Sequence, residues 1–502
     1  MKEVYRSYYT KSDPIVQYMV QMLSVDSGMR VFEPCAGDGV FIDALNSRIP
    51  NLSIDIYELN PEAIELLKRK YKNDENVKVF QDDTLTSGTL ILFANAGGIY
   101  DRIIANPPYG GWLDYEKRKY LKKLYPSLYV KETYTLFLYR CIQLLRDRGK
   151  LVFIIPDTFL NLHMHTQLRE YVLTRTKVVE LCLFPSCFFP GINFGYSNLC
   201  IVTLEKSTNK DECFNNMVRV VTGLREVSEL CSLARLPSSR RSIISLQQRG
   251  VYDNIDHALF VSKEPKVTRF INHSDIRIGD IADCVTGFYS GNDKKYLRVR
   301  LKNVKNAKNY RAVDRSLLCE ASVDSRNILD GIEGPAHSIP IVKGGGIRYF
   351  KPDNWYMDWG VEAVRHYKKD KKARFQNSQY YFKCGIGVPM VSSTSLTAAL
   401  IENRLFDQSI VGVFPHDQKW TYYLIAFFNS PTCNQLIRTI NPSANNSANY
   451  IKKIPVILPS TKRLGQINSL IESIIRSLKN GKELPHELEA KVYGQIREIY
   501  GF

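Results

Sequence analysis

The chain has 502 residues, 44 % hydrophobic and 24 % charged, a globular composition with room for roughly two to four domains. That composition excludes a disordered, collagenous or small disulfide-stapled chain, and no apolar run reaches the ~18 residues that span a bilayer. The net charge of +17 is uneven: residues 1–200 hold 24 Lys+Arg against 22 Asp+Glu, and residues 201–502 hold 44 against 29, so a polyanionic partner is expected to meet the C-terminal part.

The start, MKEVYRSYYTKSDP, has neither an apolar stretch nor a small-residue cleavage site, so a cytoplasmic chain with no membrane association is expected. Short apolar runs then alternate with helical patterns, the cadence of an α/β chain with helices on both faces of a sheet. Strands are expected over Arg30–Phe32, Leu52–Tyr57, Val77–Phe80, Arg102–Ala105, Leu151–Ile155 and Val178–Phe184. The first four end on Glu33, Glu58, Asp83 and Asn106, at intervals of 25, 25 and 23 residues. One βα unit per interval brings the four polar side chains to one crevice at the carboxyl ends of a parallel sheet.

After the first strand, FEPCAGDGVF carries Gly37 and Gly39 into a helix. The glycines allow a tight turn and close backbone approach to a ligand, a pattern that many simple turns share. Position 42 is Ile, so the third glycine of the dinucleotide fingerprint is missing and a nucleoside without phosphates fits better than a pyrophosphate. Glu58, nineteen residues beyond Gly39, is placed to accept from two ribose hydroxyls, and Asp83 from an exocyclic amine. After the fourth strand comes Asn106-Pro107-Pro108-Tyr109, where two prolines fix φ and hold the flanking groups rigidly.

The polar cluster EKSTNKDE after Leu204 predicts a domain boundary, giving 1–205 as one domain. Residues 206–460 differ in texture, with short β-like runs, glycine clusters and Tyr/Phe interleaved with Lys/Arg, as a mixed α+β domain. In 461–502, Leu464, Ile467, Leu470, Ile471, Ile474, Ile475 and Leu478 recur at helical spacing, a packing helix followed by a second one. The eleven cysteines form no C-x-x-C pair and no matching His spacing, so neither a disulfide framework nor a metal site is expected.

FEPCAGDGVF, YELN, QDDTL and ANPPY in this order, preceded by YYTKSDPIVQYMV, resemble the S-adenosylmethionine-dependent adenine-N6 DNA methyltransferases of the TaqI-like and Eco57I-like restriction-modification type. The resemblance implies a Rossmann-like class I methyltransferase domain, then a DNA target-recognition domain and C-terminal helices packing on either. It assigns Thr10, Glu33, Cys35, Ala36, Gly37 and Gly39 to the methionine end of the cofactor. It assigns Glu58 to its ribose, Leu59 and Phe137 to the walls of its adenine pocket, and Asp83 to its adenine amine. Asn106 and the Pro107 carbonyl would accept the two amino hydrogens of a flipped-out adenine within the rigid loop that Pro108 completes. Tyr109 and Phe189 would stack on that base.

Segments such as IPIVKGGGIRYF and ANNSANYIKKIPVILPS are similar to target-recognition domains, which makes Arg235, Arg240, Arg241, Lys294, Lys295, Lys343 and Arg348 candidate phosphate contacts. Asn292, Asp293, Gln376 and Asn377 could read base edges. Double-stranded DNA is the expected partner, with a separately encoded restriction endonuclease as a further one. An RNA or protein-glutamine methyltransferase, whose amine or amide nitrogen poses the same lone-pair problem, and a DNA-binding subunit of a larger modification complex are the alternatives.

Overall fold

In the computed structural model, the structure describes residues 10–109, 114–189, 198–235, 243–262, 264–301, 306–319, 328–344, 346, 348–392, 394–441 and 444–502. The chain forms two compact units, Met1–His273 and Ser274–Phe502.

The first unit opens with helix α1 (Asp13–Leu23), which has Asp13 and Pro14 in its first turn and buries Ile15, Met19 and Leu23; an acid and a proline there suit the positive dipole end and the missing N–H. The alternation follows as β1 (Arg30–Glu33), α2 (Val40–Asn46), β2 (Ser53–Glu58), α3 (Pro61–Lys70) and β3 (Val77–Gln81). Next come α4 (Gly88–Asn95), β4 (Tyr100–Ala105), α5 (Tyr115–Leu124), α6 (Thr133–Leu144) and β5 (Leu145–Pro156). All six strands expected from the apolar runs form, the sixth as β6 (Thr176–Pro185) after α7 (Thr166–Arg175). β7 (Asn198–Lys206) returns antiparallel between β5 and β6.

The sheet order is β3-β2-β1-β4-β5-β7-β6, and β1 to β5 are parallel. The winding reverses between β1 and β4, so right-handed crossovers put α2 and α3 on one face and α4 and α6 on the other. α1 packs on α2, and α4 on α6, as two layers require. Glu33 and Asn106 follow or end the two strands at the reversal, where open parallel sheets leave their crevice.

The sheet continues past the boundary expected after Leu204. The polar cluster there is a turn and a helix start: Asn209 caps α8 (Lys210–Asn215), its side chain accepting from the N–H groups of Asp211 and Glu212. β8 (Met217–Val221) then pairs in parallel with β6, and β9 (Ile243–Gln247) closes that edge. The compact unit ends at His273.

The second unit holds a four-stranded antiparallel sheet (Ala282–Thr286, Ile410–Pro415, Gly385–Pro389, Ala399–Ile401) and a five-stranded sheet that includes Leu297–Val299, Trp355–Asp358 and Ser338–Val342. Its core centres on Phe288, Trp359, Tyr367, Tyr381 and Phe406. The two C-terminal helices belong to this unit. Thr461–Lys479 buries Leu464, Ile467, Ile471, Ile474 and Ile475 of the expected stripe, with Leu470 and Leu478 half-buried, and in His486–Tyr500 the Tyr500 ring stacks on Phe427 at 5.1 Å. Among the described residues, no helix is long and apolar enough to cross a membrane.

Candidate active site

Left-handed backbone at Gly37 (φ +58°) and Gly39 (φ +78°) turns the chain from β1 into α2. A Cβ at Gly39 would come within 2.6 Å of the Tyr71 Oη and 2.9 Å of Leu67, and Tyr71 donates back to the Gly39 carbonyl (3.0 Å) and Asp43 (2.9 Å). Only glycine satisfies both the dihedral and the approach. Gly37 N–H donates to Glu58 Oε2 (2.9 Å), while the N–H groups of Leu59 and Asn60 donate to Oε1 (2.7 and 2.9 Å). Three donors fix the Glu58 carboxylate, and two oxygens with about four lone-pair sites keep acceptor capacity for a ligand.

Glu33 is 1 % exposed, and burial, with repulsion from Asp38 and Glu58, raises its carboxyl well above the usual carboxylate range. Its Oε2 has no hydrogen-bond partner among the described residues. Burial likewise raises the Cys35 thiol, helped by Glu58 and Glu33, so Cys35 stays protonated; its Sγ points to the Asn106 carbonyl at 3.7 Å.

Asn106 follows the last residue of β4. Its Nδ2 donates to Thr10 Oγ1 (3.1 Å), which leaves Oδ1 as the amide end turned away from Thr10. Thr133 donates to the Pro108 carbonyl (2.6 Å), tying the proline loop to the start of α6. A narrow cleft collects Thr10, Glu33, Cys35, Ala36, Gly37, Asn106 and Pro108. Asp38, Val40 and Phe41, which sequence reasoning did not single out, line it as well. They follow directly on the glycine loop, so the loop's own register is the signal that could have found them.

Other expected residues lie outside this cleft. Leu59 is 37 % exposed, whereas Phe137 is buried on α6. Asp83 accepts from Leu85 N–H (3.0 Å) and pairs with Lys117 of α5 at 2.9 Å. Pro107 is buried. Tyr109 and Phe189, expected to flank a base, are each 2 % exposed, and the Tyr109 ring packs edge-on against Tyr134 at 6.4 Å. The structure thus stores both rings in the core of this unit, and a base could reach them only if the rings or their cover move.

Asp157, just past β5, neighbours Thr158, whose hydroxyl bonds Tyr134 (3.2 Å). Burial, only partly offset by the hydrogen bond from Asn198 (3.1 Å), pushes the Asp157 carboxyl up to about 6. The folded chain keeps a proton that the unfolded chain releases near pH 4, so this group makes stability fall as pH rises from about 4 to about 6. Asp157→Asn is expected to remove that fall, read as a flatter dependence of melting temperature on pH across the window.

The basic candidates divide. Arg240 and Arg241 lie outside the described residues, and the Arg235 backbone ends the short helical segment Val227–Arg235 of the first unit. Lys294 and Lys295 are exposed on the short helix Asp293–Tyr296. Lys343 is not a surface cation: it bridges Asp293 (3.0 Å) and Asp407 (2.8 Å). Burial disfavours its charge, but the two carboxylates outweigh that and hold the amine above its ordinary value. Arg348 is committed to Glu489 (2.7 Å) and the Tyr493 hydroxyl (2.8 Å). The base-reading candidates also serve internal bonds. Asn292 caps Lys295 N–H, Asp293 pairs with Lys343, and Gln376 and Asn377 donate to the Gly287 and Thr286 carbonyls.

A doubly wound sheet of order 3-2-1-4-5-7-6, with a glycine loop after β1 and Asn-Pro-Pro-Tyr after β4, is a Rossmann-like class I methyltransferase sheet. Residues 37–189 match the family described as Eco57I restriction-modification methylase. It is similar to Type II methyltransferase M.AccI of Acinetobacter calcoaceticus, 30 % identical over 226 residues, 43 % of this chain and 40 % of that protein. It is also similar to Type II methyltransferase M.HindII of Haemophilus influenzae, 25 % identical over 299 residues, 56 % of this chain and 53 % of that protein. The chain thus spans about half or less of the length of these relatives. Among solved structures, a DrdV–DNA complex matches with a TM-score of 0.47 and 13 % identity, over 93 % of this chain and 57 % of that one.

Proposed function

We propose that the chain transfers a methyl group from S-adenosylmethionine to N6 of a flipped-out adenine in duplex DNA, as the cytoplasmic modification enzyme of a restriction-modification system. The observation that carries this reading is the Asn106 amide, oriented by Thr10 in the same cleft as the glycine loop and Glu33.

The chemistry of the residues lining the cleft suits the cofactor. Glu33 presents a buried carboxyl whose Oε2 lacks a partner among the described residues, suited to an amine, and Gly37 lines the same cleft with no side chain to obstruct approach. Cys35 and Ala36 complete that wall, Glu58 keeps lone pairs for ribose hydroxyls, and Asp83, whose carboxylate keeps acceptor capacity beside its bonds to Leu85 and Lys117, would take the adenine amine, with Leu59 and Phe137 as walls. The bound cofactor supplies a methyl group already activated by its sulfonium.

The chain's task is then alignment more than base catalysis. An aromatic amine has its lone pair delocalised into the ring. The Asn106 Oδ1 and the Pro107 carbonyl, taking one N–H each, draw the nitrogen toward sp³ and aim its lone pair in line. Flipping the base out of the duplex costs a few kcal/mol, and stacking on Tyr109 and Phe189 would return about 1–3 kcal/mol. The second unit is proposed as the target-recognition domain, with Lys294 and Lys295 on phosphates, and a separately encoded endonuclease as partner.

The test incubates purified protein with duplex DNA and methyl-labelled S-adenosylmethionine, then digests the DNA to nucleosides. Label in N6-methyldeoxyadenosine is expected. Label in N4-methyldeoxycytidine would overturn the choice of adenine, and label only in RNA or protein would overturn DNA as substrate.

A further inference from the structure

α5 (Tyr115–Leu124) follows the Asn-Pro-Pro-Tyr loop by sequence and reads YEKRKYLKKL, five cations against one acid. It lies in the half of the chain whose charges otherwise nearly balance. The helix is seated on the rigid sheet from one side. Leu121 is fully buried, Lys117 pairs with Asp83, and Tyr125, just past the helix, donates to the Leu85 carbonyl (2.7 Å) and accepts from Arg140 (3.0 Å). Asp83 and Leu85 follow β3, so these contacts hold α5 over the same carboxyl edge of the sheet at which β4 delivers Asn106.

The opposite side of the helix faces solvent. Tyr115, Lys119 and Lys122 recur at helical spacing, with Tyr120 and Lys123 on the adjoining stripe, and all five are exposed. Tyr115 at 73 % and Tyr120 at 52 % are the exposed tyrosines among the described residues. A lysine face that served only solubility would not need large aromatic rings laid between its cations. Cations tracking a backbone, interleaved with aromatics that pack on sugars or bases, are the pattern of a nucleic-acid surface.

From this placement we infer that α5 is a contact surface for the sugar–phosphate backbone beside the reacting base, with Lys119, Lys122 and Lys123 on phosphates. The inference rests on the proposed reading that the substrate is duplex DNA. It assigns positioning contacts to the catalytic unit itself, whereas the charge balance of the sequence pointed to the C-terminal part alone.

The experiment measures the affinity of the full chain for a fluorescent duplex across a salt series, with the melting temperature and S-adenosylmethionine binding as controls for folding. The triple variant Lys119→Gln, Lys122→Gln, Lys123→Gln is expected to lose at least about tenfold in affinity, and its log–log salt slope to shrink by about 0.9 per lost contact, about 2.7 in all. A matched triple variant, Lys68→Gln, Arg69→Gln, Lys72→Gln, removes the same charge from the exposed end of α3 and its turn and is expected to leave affinity within about threefold. Equal loss in both triples, or none in the first, overturns the inference while leaving the proposed reaction standing. A wild-type chain that binds no duplex overturns both.

Discussion

Asn106→Ala is expected to lower methyl transfer by about 10³-fold or more, the cost of removing a preorganised acceptor from a transition state, while S-adenosylmethionine binds within a few-fold of wild type. Of the cleft walls that hold the cofactor in this account, Cys35 meets Asn106 through its thiol and the Asn106 backbone carbonyl. Cutting the side chain back to alanine leaves that contact intact. Calorimetric titration with the cofactor, beside single-turnover methylation, separates the two effects, and loss of cofactor binding in Asn106→Ala would contradict the division of labour. Tyr109→Ala gives the contrast. It is expected to weaken duplex binding through lost stacking, and because the ring is 2 % exposed it also opens a cavity worth about 3–5 kcal/mol of stability. Tyr109→Phe keeps the ring, so its duplex affinity should stay near wild type.

Lys343→Ala is expected to destabilise the second unit by about 3–5 kcal/mol, the usual result of stripping one partner from a buried ion cluster. Asp407 is 2 % exposed, and the variant strips from it and from Asp293 the cation that both contact. Urea unfolding monitored by tryptophan fluorescence reads this loss, since Trp355 and Trp359 lie in the core of that unit. The salt slope of duplex binding, measured where the variant is still folded, should be unchanged. A slope reduced by about one unit would instead restore Lys343 as a phosphate contact.

The Lys343 case shows what kind of information the sequence carries. β1 to β4 were legible because each βα unit is a local pattern: an apolar run, a polar residue at its end, a helix, and the next run some 25 residues on. The crevice at Glu33 and Asn106 followed from that register, and the cleft does collect them with the glycine loop. What could not be read were pairings between distant segments. Lys343 meets Asp407 across 64 residues, Arg348 meets Tyr493 across 145, and Thr10 meets Asn106 across 96. The polar cluster after Leu204 looked like a domain linker because turns and linkers share a composition. Only the parallel pairing of β8 with β6 shows that the sheet runs on. The same limit applies to Tyr109 and Phe189, since an aromatic residue after a strand gives no local sign of whether its ring faces a ligand or a core.

The most direct measurement expresses the chain in a methylation-deficient bacterial host and sequences the genome by a method that reports modified bases, with Asn106→Ala in parallel. N6-methyladenine is expected at one short motif in the wild type and nowhere in the mutant. Unmodified DNA from a host in which the folded protein accumulates and binds S-adenosylmethionine would contradict this expectation.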